Sequence, residues 1–296
     1  AKVLEIKEKE RGEKMEQLVQ LACDEGLLIK AGSYTPSILL GEGRFSSVYK
    51  AVNEAGVSVA VKEFRYLRSP PPLGVITSMT QEIKMLIYLR ERKCRHTVPI
   101  IGVMLEPKAS IIFYLMEGDL HKVMTDAPLW SAITMQQKIM LLQQIAEGLE
   151  SIHDAGVVHR DIKSHNIMMI REEQQKEEED TRGWNAKIGD FGTATELVAG
   201  GMDAPAHQVL REEVGTSGWS APEVFGGDGY GMPCDIFSFG VLCWETLDDV
   251  RDNPLSGLDP DKCKSELEKG VRPVMHQSKQ VAPAALVELV HECWAT

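Results

Sequence analysis

No stretch of this chain approaches the roughly 20 consecutive apolar residues that a membrane-spanning helix needs, and its opening segment, AKVLEIKEKERGEK, contains no apolar signal core. Cysteine is sparse and scattered. Cys23, Cys94, Cys234, Cys243, Cys263 and Cys293 form no CxxC pair and take no metal-ligand spacing to nearby histidines. That argues against a disulfide scaffold and a zinc module, and fits reduced, buried thiols in a cytoplasmic protein. Positive charge is also in deficit: 32 Lys and Arg against 44 Asp and Glu leave a net charge of −12. Such a surface repels nucleic acid and anionic lipid and favours basic peptides or proteins as partners. What is present is enough apolar material, 43% of 296 residues, for one large or two small cores. A chain that starts at Ala instead of Met reads as a fragment.

Three textures follow one another along the chain. Residues 3–22 are rich in Glu and Lys, and Met15, Leu18, Val19 and Ala22 recur at helical spacing, predicting an amphipathic helix ended by Gly26. It is either a linker or coiled-coil end, or it packs on the sheet that follows. From Tyr34 to Met116, short alternating runs (PSILLGEG, SSVYKAVN, VSVAVKEF, VPIIGVML, IIFYLM) predict five antiparallel strands, with one helix at about 76–92. After Gly118 the pattern is mainly helical, over 135–155, 235–247 and 283–294. The helix at 135–155 presents Ile139, Leu142, Ile145, Ala146 and Leu149 as its buried face. Strands are expected at 167–170 and 186–188, and the charged run between them, REEQQKEEEDTRG, is expected to be a solvated hairpin extension. The acidic segment 249–269 is expected to help dock a substrate.

Five short motifs occur in fixed order: GEGRFSSV (41–48), VAVK (59–62), HRDIKSHN (159–166), DFG (190–192) and APE (221–223). Each is suited to handling phosphate. Gly41 and Gly43 allow backbone amides to approach phosphate oxygens. In VSVAVK, strand alternation puts Val59 and Val61 on one face and Ala60 and Lys62 on the other. A long lysine side chain needs a carboxylate to fix it, and Glu82 lies on the predicted helix. Together, and spanning Ser33 to Trp294, the motifs resemble the eukaryotic protein kinase catalytic domain.

That resemblance implies an α+β, bilobal fold: a small lobe of five antiparallel strands with one helix, and a larger, mainly helical lobe. It implies a terminal segment at 1–30 and a kinase domain at 31–296, divided at 116/117 and cut short at its C-terminus. It implies ATP and Mg²⁺. Gly41, Glu42 and Gly43 would cover the phosphates, with Phe45 at the turn tip; Ser46 replaces the family's third glycine. Val48, Ala60 and Met168 would sandwich adenine, and the backbones of Tyr114 and Met116 would bond it, behind the bulky Phe113. Asp119 would reach the ribose or a basic substrate side chain. Lys62, anchored by Glu82, would hold the α- and β-phosphates; Asp161 would act as base, Lys163 would neutralise the γ-phosphate, and Asn166 and Asp190 would bind the metal. His159, Phe191, Leu86 and Ile100 would stack as an apolar spine.

Lys163 and Thr216, whose hydroxyl would bridge Asp161 and Lys163, resemble serine/threonine kinases. Trp219 and the Cys293–Trp294 pair resemble the tyrosine-kinase-like branch. The reading is therefore a protein serine/threonine kinase, with a nucleotide-binding pseudokinase scaffold and a tyrosine or dual-specificity kinase as alternatives. Arg160 would pair with Glu212 or Glu213, which stand where relatives carry a phosphosite. Glu223 is expected to go without its family partner, an arginine beyond Thr296, with Arg272 not substituting. No oligomeric state follows from the sequence.

Overall fold

The computed structural model describes residues 2–43, 45–67, 69–171, 183–197, 210–225, 229–248, 253, 255–274 and 282–295; for residues 2–5 it describes the backbone alone. The chain divides into two compact units, one of residues 1–91 and 98–116, the other of residues 92–97 and 117–296. The charged run expected to form a hairpin extension falls largely outside the described residues, as do the start of the acidic segment and Thr296.

The first unit contains α1 (Lys2–Asp24), β1 (Thr35–Glu42), β2 (Ser46–Val52), β3 (Ser58–Phe64), α2 (Leu73–Glu91), β4 (Ile100–Met104) and β5 (Ser110–Tyr114). The strands form one antiparallel sheet in the order β1-β2-β3-β5-β4, so all five expected strands are present. Alternation in β3 sends Val59 and Val61 into a cluster with Ala51, Met104 and Ile112, and leaves Lys62 half-buried on the other face. Residues 1–30 do not stand apart. Leu18 and Ala22 are fully buried, α1 packs against α2, and Glu25 pairs with Arg90. Beyond Gly26, which takes the left-handed conformation (φ +64°), the chain runs alongside β4. Ile29 N–H donates to Val103 O at 2.8 Å and Val103 N–H to Leu27 O at 2.7 Å. Gly102 admits this approach: a Cβ there would lie 2.4 Å from Ile29 Cδ1.

The second unit contains β6 (Gly118–Asp119), α3 (Leu120–Thr125), α4 (Ala127–Ser131), α5 (Met135–Asp154), β7 (Val157–Val158), β8 (Ile167–Arg171), β9 (Trp184–Ile188), β10 (Thr195–Glu196), α6 (Pro233–Asp248), α7 (Pro260–Glu268) and α8 (Ala284–Cys293). Thr134 and Gln137 form a capping box that starts α5. Its buried face is Leu141, Leu142, Ile145, Gly148, Leu149 and Ile152, and Ile139 and Ala146 are only half-buried. Leu142, Ile145 and Leu149 of the expected stripe are thus buried, and the buried arc is shifted to include Leu141, Gly148 and Ile152, with β9 and α6 both packed on α5. Helix α6 is buried almost throughout, its acids Asp235, Glu245 and Asp248 included. A three-stranded sheet, β6-β8-β9, and a two-stranded one, β7-β10, brace the segments on either side of α5. Only Cys234, Cys243 and Cys263 are buried, and Cys23 is exposed, so the expectation of six buried thiols holds for half of them.

Candidate active site

In the first unit, β1 and β2 pair with Gly41 opposite Val48 and Glu42 opposite Ser47, after an irregularity at Leu39. Gly43 N–H closes the turn on Ser46 O at 2.9 Å. Among the described residues, a Cβ on Gly41 would meet no atom within 4 Å, and one on Gly43 would meet Ser46 at an ordinary 3.7 Å. Packing against the described residues therefore does not demand these glycines, and they suit a ligand that approaches the backbone. Phe45 is exposed. On β3, Lys62 Nζ lies 2.7 and 2.9 Å from the two carboxylate oxygens of Glu82 on α2. The Glu82 side chain is 3% exposed and that of Lys62 13%, so this is a buried, two-oxygen ion pair whose disruption typically costs about 3–5 kcal/mol. Ala60 is opposite Phe113, and Val59 opposite Tyr114, in the β3–β5 ladder. Phe113 and Met116 are half-buried, and Tyr114 is exposed.

In the second unit, the segment after β7 folds back on a carboxylate that lies beneath it. Asp235, 0% exposed at the start of α6, accepts the backbone N–H of His159 on Oδ2 and that of Arg160 on Oδ1, both at 2.8 Å. His153 Nε2 is 2.9 Å from the same Oδ2. These bonds hold Arg160 at φ +71°, a conformation costly to a non-glycine residue. The chain then turns and presents Asp161. Its Oδ2 takes Lys163 Nζ at 2.7 Å and Asn166 Nδ2 at 2.9 Å, and its Oδ1 takes the Thr216 hydroxyl at 2.7 Å. Lys163 also donates to Thr216 Oγ1 at 2.6 Å. Asn166 Nδ2 donates to Asp161 O as well, which turns the amide oxygen the other way.

His159 is fully buried. Its Nδ1 accepts Asp161 N–H at 3.3 Å, which leaves Nε2–H to donate to Gly189 O at 3.0 Å. The ring meets Phe191 edge-on with centroids 5.0 Å apart. Asp190, exposed and at φ +57°, begins the 3₁₀ turn that contains Phe191. Gly215, at φ +110°, brings Thr216 close to the segment that presents Asp161, and a Cβ there would come within 2.7 Å of Arg160 O.

The protein kinase domain family matches residues 34–294. The chain belongs to that family. Among its relatives, a protein of Acanthamoeba polyphaga mimivirus named as a serine/threonine-protein kinase/receptor is 29% identical over 86% of this chain and 14% of its own length. The serine/threonine-protein kinase VIK of Arabidopsis thaliana is 27% identical over 92% of this chain and 58% of its own. The chain thus spans less than two thirds of these relatives. Family membership implies ATP as a substrate and a protein as phosphoryl acceptor, and no helix among the described residues is long and apolar enough to cross a membrane.

Within this kinase domain, the residues singled out by sequence fall into two local clusters, one in each unit. Lys62 and Glu82 meet in the first. Asp161, Lys163, Asn166 and Thr216 meet in the second. Asp119 caps α3, its Oδ1 accepting Lys122 N–H at 2.8 Å, so one carboxylate oxygen already has a structural role. Met168 pairs with Asp119 across β6–β8 and is half-buried. Leu86 and Ile100 are buried within the first unit. Arg160 donates from Nε to Thr193 O at 2.6 Å and from Nη1 to Glu212 Oε2 at 3.2 Å. Arg272 instead donates to the carbonyls of Trp294, Leu267 and Val271. Sequence reasoning missed Asp235 and Glu245. A lone acid inside the apolar run of α6 was the available signal in both cases, since a buried carboxylate requires partners.

Proposed function

We propose that the chain transfers the γ-phosphate of Mg-ATP to a serine or threonine hydroxyl of a protein. The observation that carries this reading is the Asp161 carboxylate, held at both oxygens by Lys163, Asn166 and the Thr216 hydroxyl. A carboxylate fixed in this way suits acceptance of an alcohol proton, and the adjacent ammonium of Lys163 suits negative charge that grows on the transferring group. Lys62, aligned by Glu82, suits the α- and β-phosphates, and the turn at Gly41, Glu42 and Gly43 suits backbone contact with them.

Asn166 and Asp190 fit a hard cation. The Asn166 amide nitrogen is engaged by Asp161, so its oxygen is turned away and available as a donor, and Asp190 offers an exposed carboxylate. When bound there, Mg²⁺ supplies charge neutralisation for the phosphates. Val48, Ala60, Met168, Phe113 and the backbones of Tyr114 and Met116 are assigned to adenine, and Asp119 to ribose or a basic substrate group. The catalytic domain is placed at residues 31–296, its acidic surface favours a basic substrate, and the setting is cytoplasmic. The contact of Thr216 with both Asp161 and Lys163 supports the serine/threonine class over the tyrosine class.

The deciding experiment compares wild type with Asp161→Asn for Mg-ATP binding and for phosphotransfer to a peptide array, followed by phosphoamino-acid analysis. Retained nucleotide binding with lost transfer in the variant, and phosphoserine or phosphothreonine from wild type, is expected. Full nucleotide binding with equal inertness of both proteins points to a scaffold instead, and phosphotyrosine points to the other acceptor class.

A further inference from the structure

The 3₁₀ turn Ser164–Asn166 follows Lys163 and buries its two outer members, Ser164 at 0% and Asn166 at 5% exposure. Between these inward-facing neighbours, His165 is left exposed. Helix α3 packs against the turn and sets its second residue, the half-buried His121, on the exposed ring. The two imidazoles stack with centroids 4.0 Å apart and planes 17° from parallel. Trp219 meets His165 edge-on, with centroids 6.2 Å apart. That indole is buried and fixed, its N–H donated to Glu245 Oε2 at 2.9 Å.

The surroundings of the pair narrow what it suits. It borders the place where a substrate hydroxyl would meet Asp161, since the charges of Asp119, Lys163 and Asp161 all act on His165. Burial, and then the His121 ring, hold His165 below the usual imidazole range, so at neutral pH it is an uncharged ring. The two flanking carboxylates already face cations: Asp161 has Lys163 at 2.7 Å, and Asp119 has Lys122 at 3.7 Å. No bare negative charge therefore draws a cation onto the rings. Among the described residues neither imidazole takes part in a hydrogen bond or ion pair. What the pair offers a ligand is ring surface, and ring surface favours another uncharged ring, offset-stacked or edge-on.

Building on the phosphotransfer reading, we propose that His121 and His165 determine specificity for the protein substrate by stacking with an aromatic side chain that lies a few residues from the serine or threonine presented to Asp161. The acceptor hydroxyl is fixed at Asp161, and an extended peptide advances about 3.3 Å per residue, so the preference belongs to one position along the peptide. Leucine at that position gains area burial alone. Phenylalanine gains ring contact as well. Arginine or lysine brings its charge toward Lys163 and Lys122.

Peptides with a central serine, carrying Phe, Leu, Arg or Glu at each flanking position in turn, test this at pH 8, above the ordinary imidazole pKa of about 6.5. Binding is read by fluorescence anisotropy on versions with Ala in place of the serine, which need no phosphotransfer, and kcat/KM is measured on the serine forms. At one position Phe is expected to bind roughly two- to tenfold tighter than Leu, with Arg no tighter than Leu. The Phe-to-Leu ratio there should fall to about one in His165→Ala, return in His165→Phe and drop in His121→Ala. Because it is a ratio, a general effect of a substitution on folding or chemistry cancels from it. Equal binding of Phe and Leu peptides at every position, a preference for Arg, or a Phe preference that survives His165→Ala overturns the proposal. An aromatic preference in binding without transfer to the serine peptides defeats the kinase reading and leaves the ring pair its role; phosphotransfer with no aromatic preference defeats the ring pair alone.

Discussion

The carboxylate of Asp235 accepts the backbone N–H of Arg160 at 2.8 Å and so holds that residue in a left-handed conformation. The same carboxylate accepts the N–H of His159. The segment that presents Asp161 is thus anchored by a helix buried in the core of its own unit. Asp235→Ala should strip two backbone amides and His153 of their acceptor. At roughly 1.5–3 kcal/mol for each hydrogen bond to a charged group, the loss should lower the melting temperature sharply and abolish phosphotransfer. Asp235→Asn, whose amide offers one acceptor oxygen in place of two, should fall between. Wild-type stability in the alanine variant, read by thermal melting, contradicts the anchoring role.

Thr216 stands between Lys163 and Asp161 with its hydroxyl as acceptor to one and donor to the other. Thr216→Ala should therefore reduce kcat by roughly ten- to a hundredfold, the effect of one hydrogen bond to an ionised group. Thr216→Ser should restore most of it. Steady-state kinetics on a peptide substrate checks both, and equal rates in the alanine and serine variants would mean that the hydroxyl is idle.

Lys62 and Glu82 make a buried ion pair in the first unit. Replacing Lys62 by Met leaves the Glu82 carboxylate, 3% exposed, without that cation, and a cost of about 3–5 kcal/mol is expected in chemical denaturation. The double variant Lys62→Met with Glu82→Leu should recover stability and not activity. Recovery of neither would show that the pair's contribution is not local.

Arg160 and Glu212 form a pair of a different kind. Glu212 is 78% exposed, and such pairs contribute about 0–1 kcal/mol. In phosphatase-treated enzyme, Glu212→Ala should lower activity by less than roughly fivefold, with the effect shrinking in high salt. Glu213→Ala should do nothing, since it is Glu212 that reaches Arg160. Unchanged activity in Glu212→Ala, assayed at low ionic strength, removes this carboxylate as a stand-in for a phosphate.

The five strands of the first unit were legible because their apolar runs are short and broken by Gly, Asn and Pro. The candidate cluster around Asp161 was legible because it is compressed into HRDIKSHN and GTSGW. Helix α5 was legible as an element, but the arc it buries depends on what packs against it, and a single chain's periodicity does not carry that. Helices α3 and α4, at six and five residues, are too short to show a period; their only signals were the capping acids Asp119 and Asp126. Asp235 and Glu245 were hidden for a related reason. In sequence each is a lone acid in an apolar run, and only burial of the whole of α6 shows that both carboxylates need partners.

Residues 27–29 were read only as part of a terminal segment after the helix ended by Gly26, yet they hydrogen-bond along the free side of β4. Without them the sheet would end in a row of unpaired amides and carbonyls, the kind of border along which separate molecules add to one another. A chain begun at Ser33 would keep every motif of the family and expose that border, so its first defect should be self-association and not loss of chemistry.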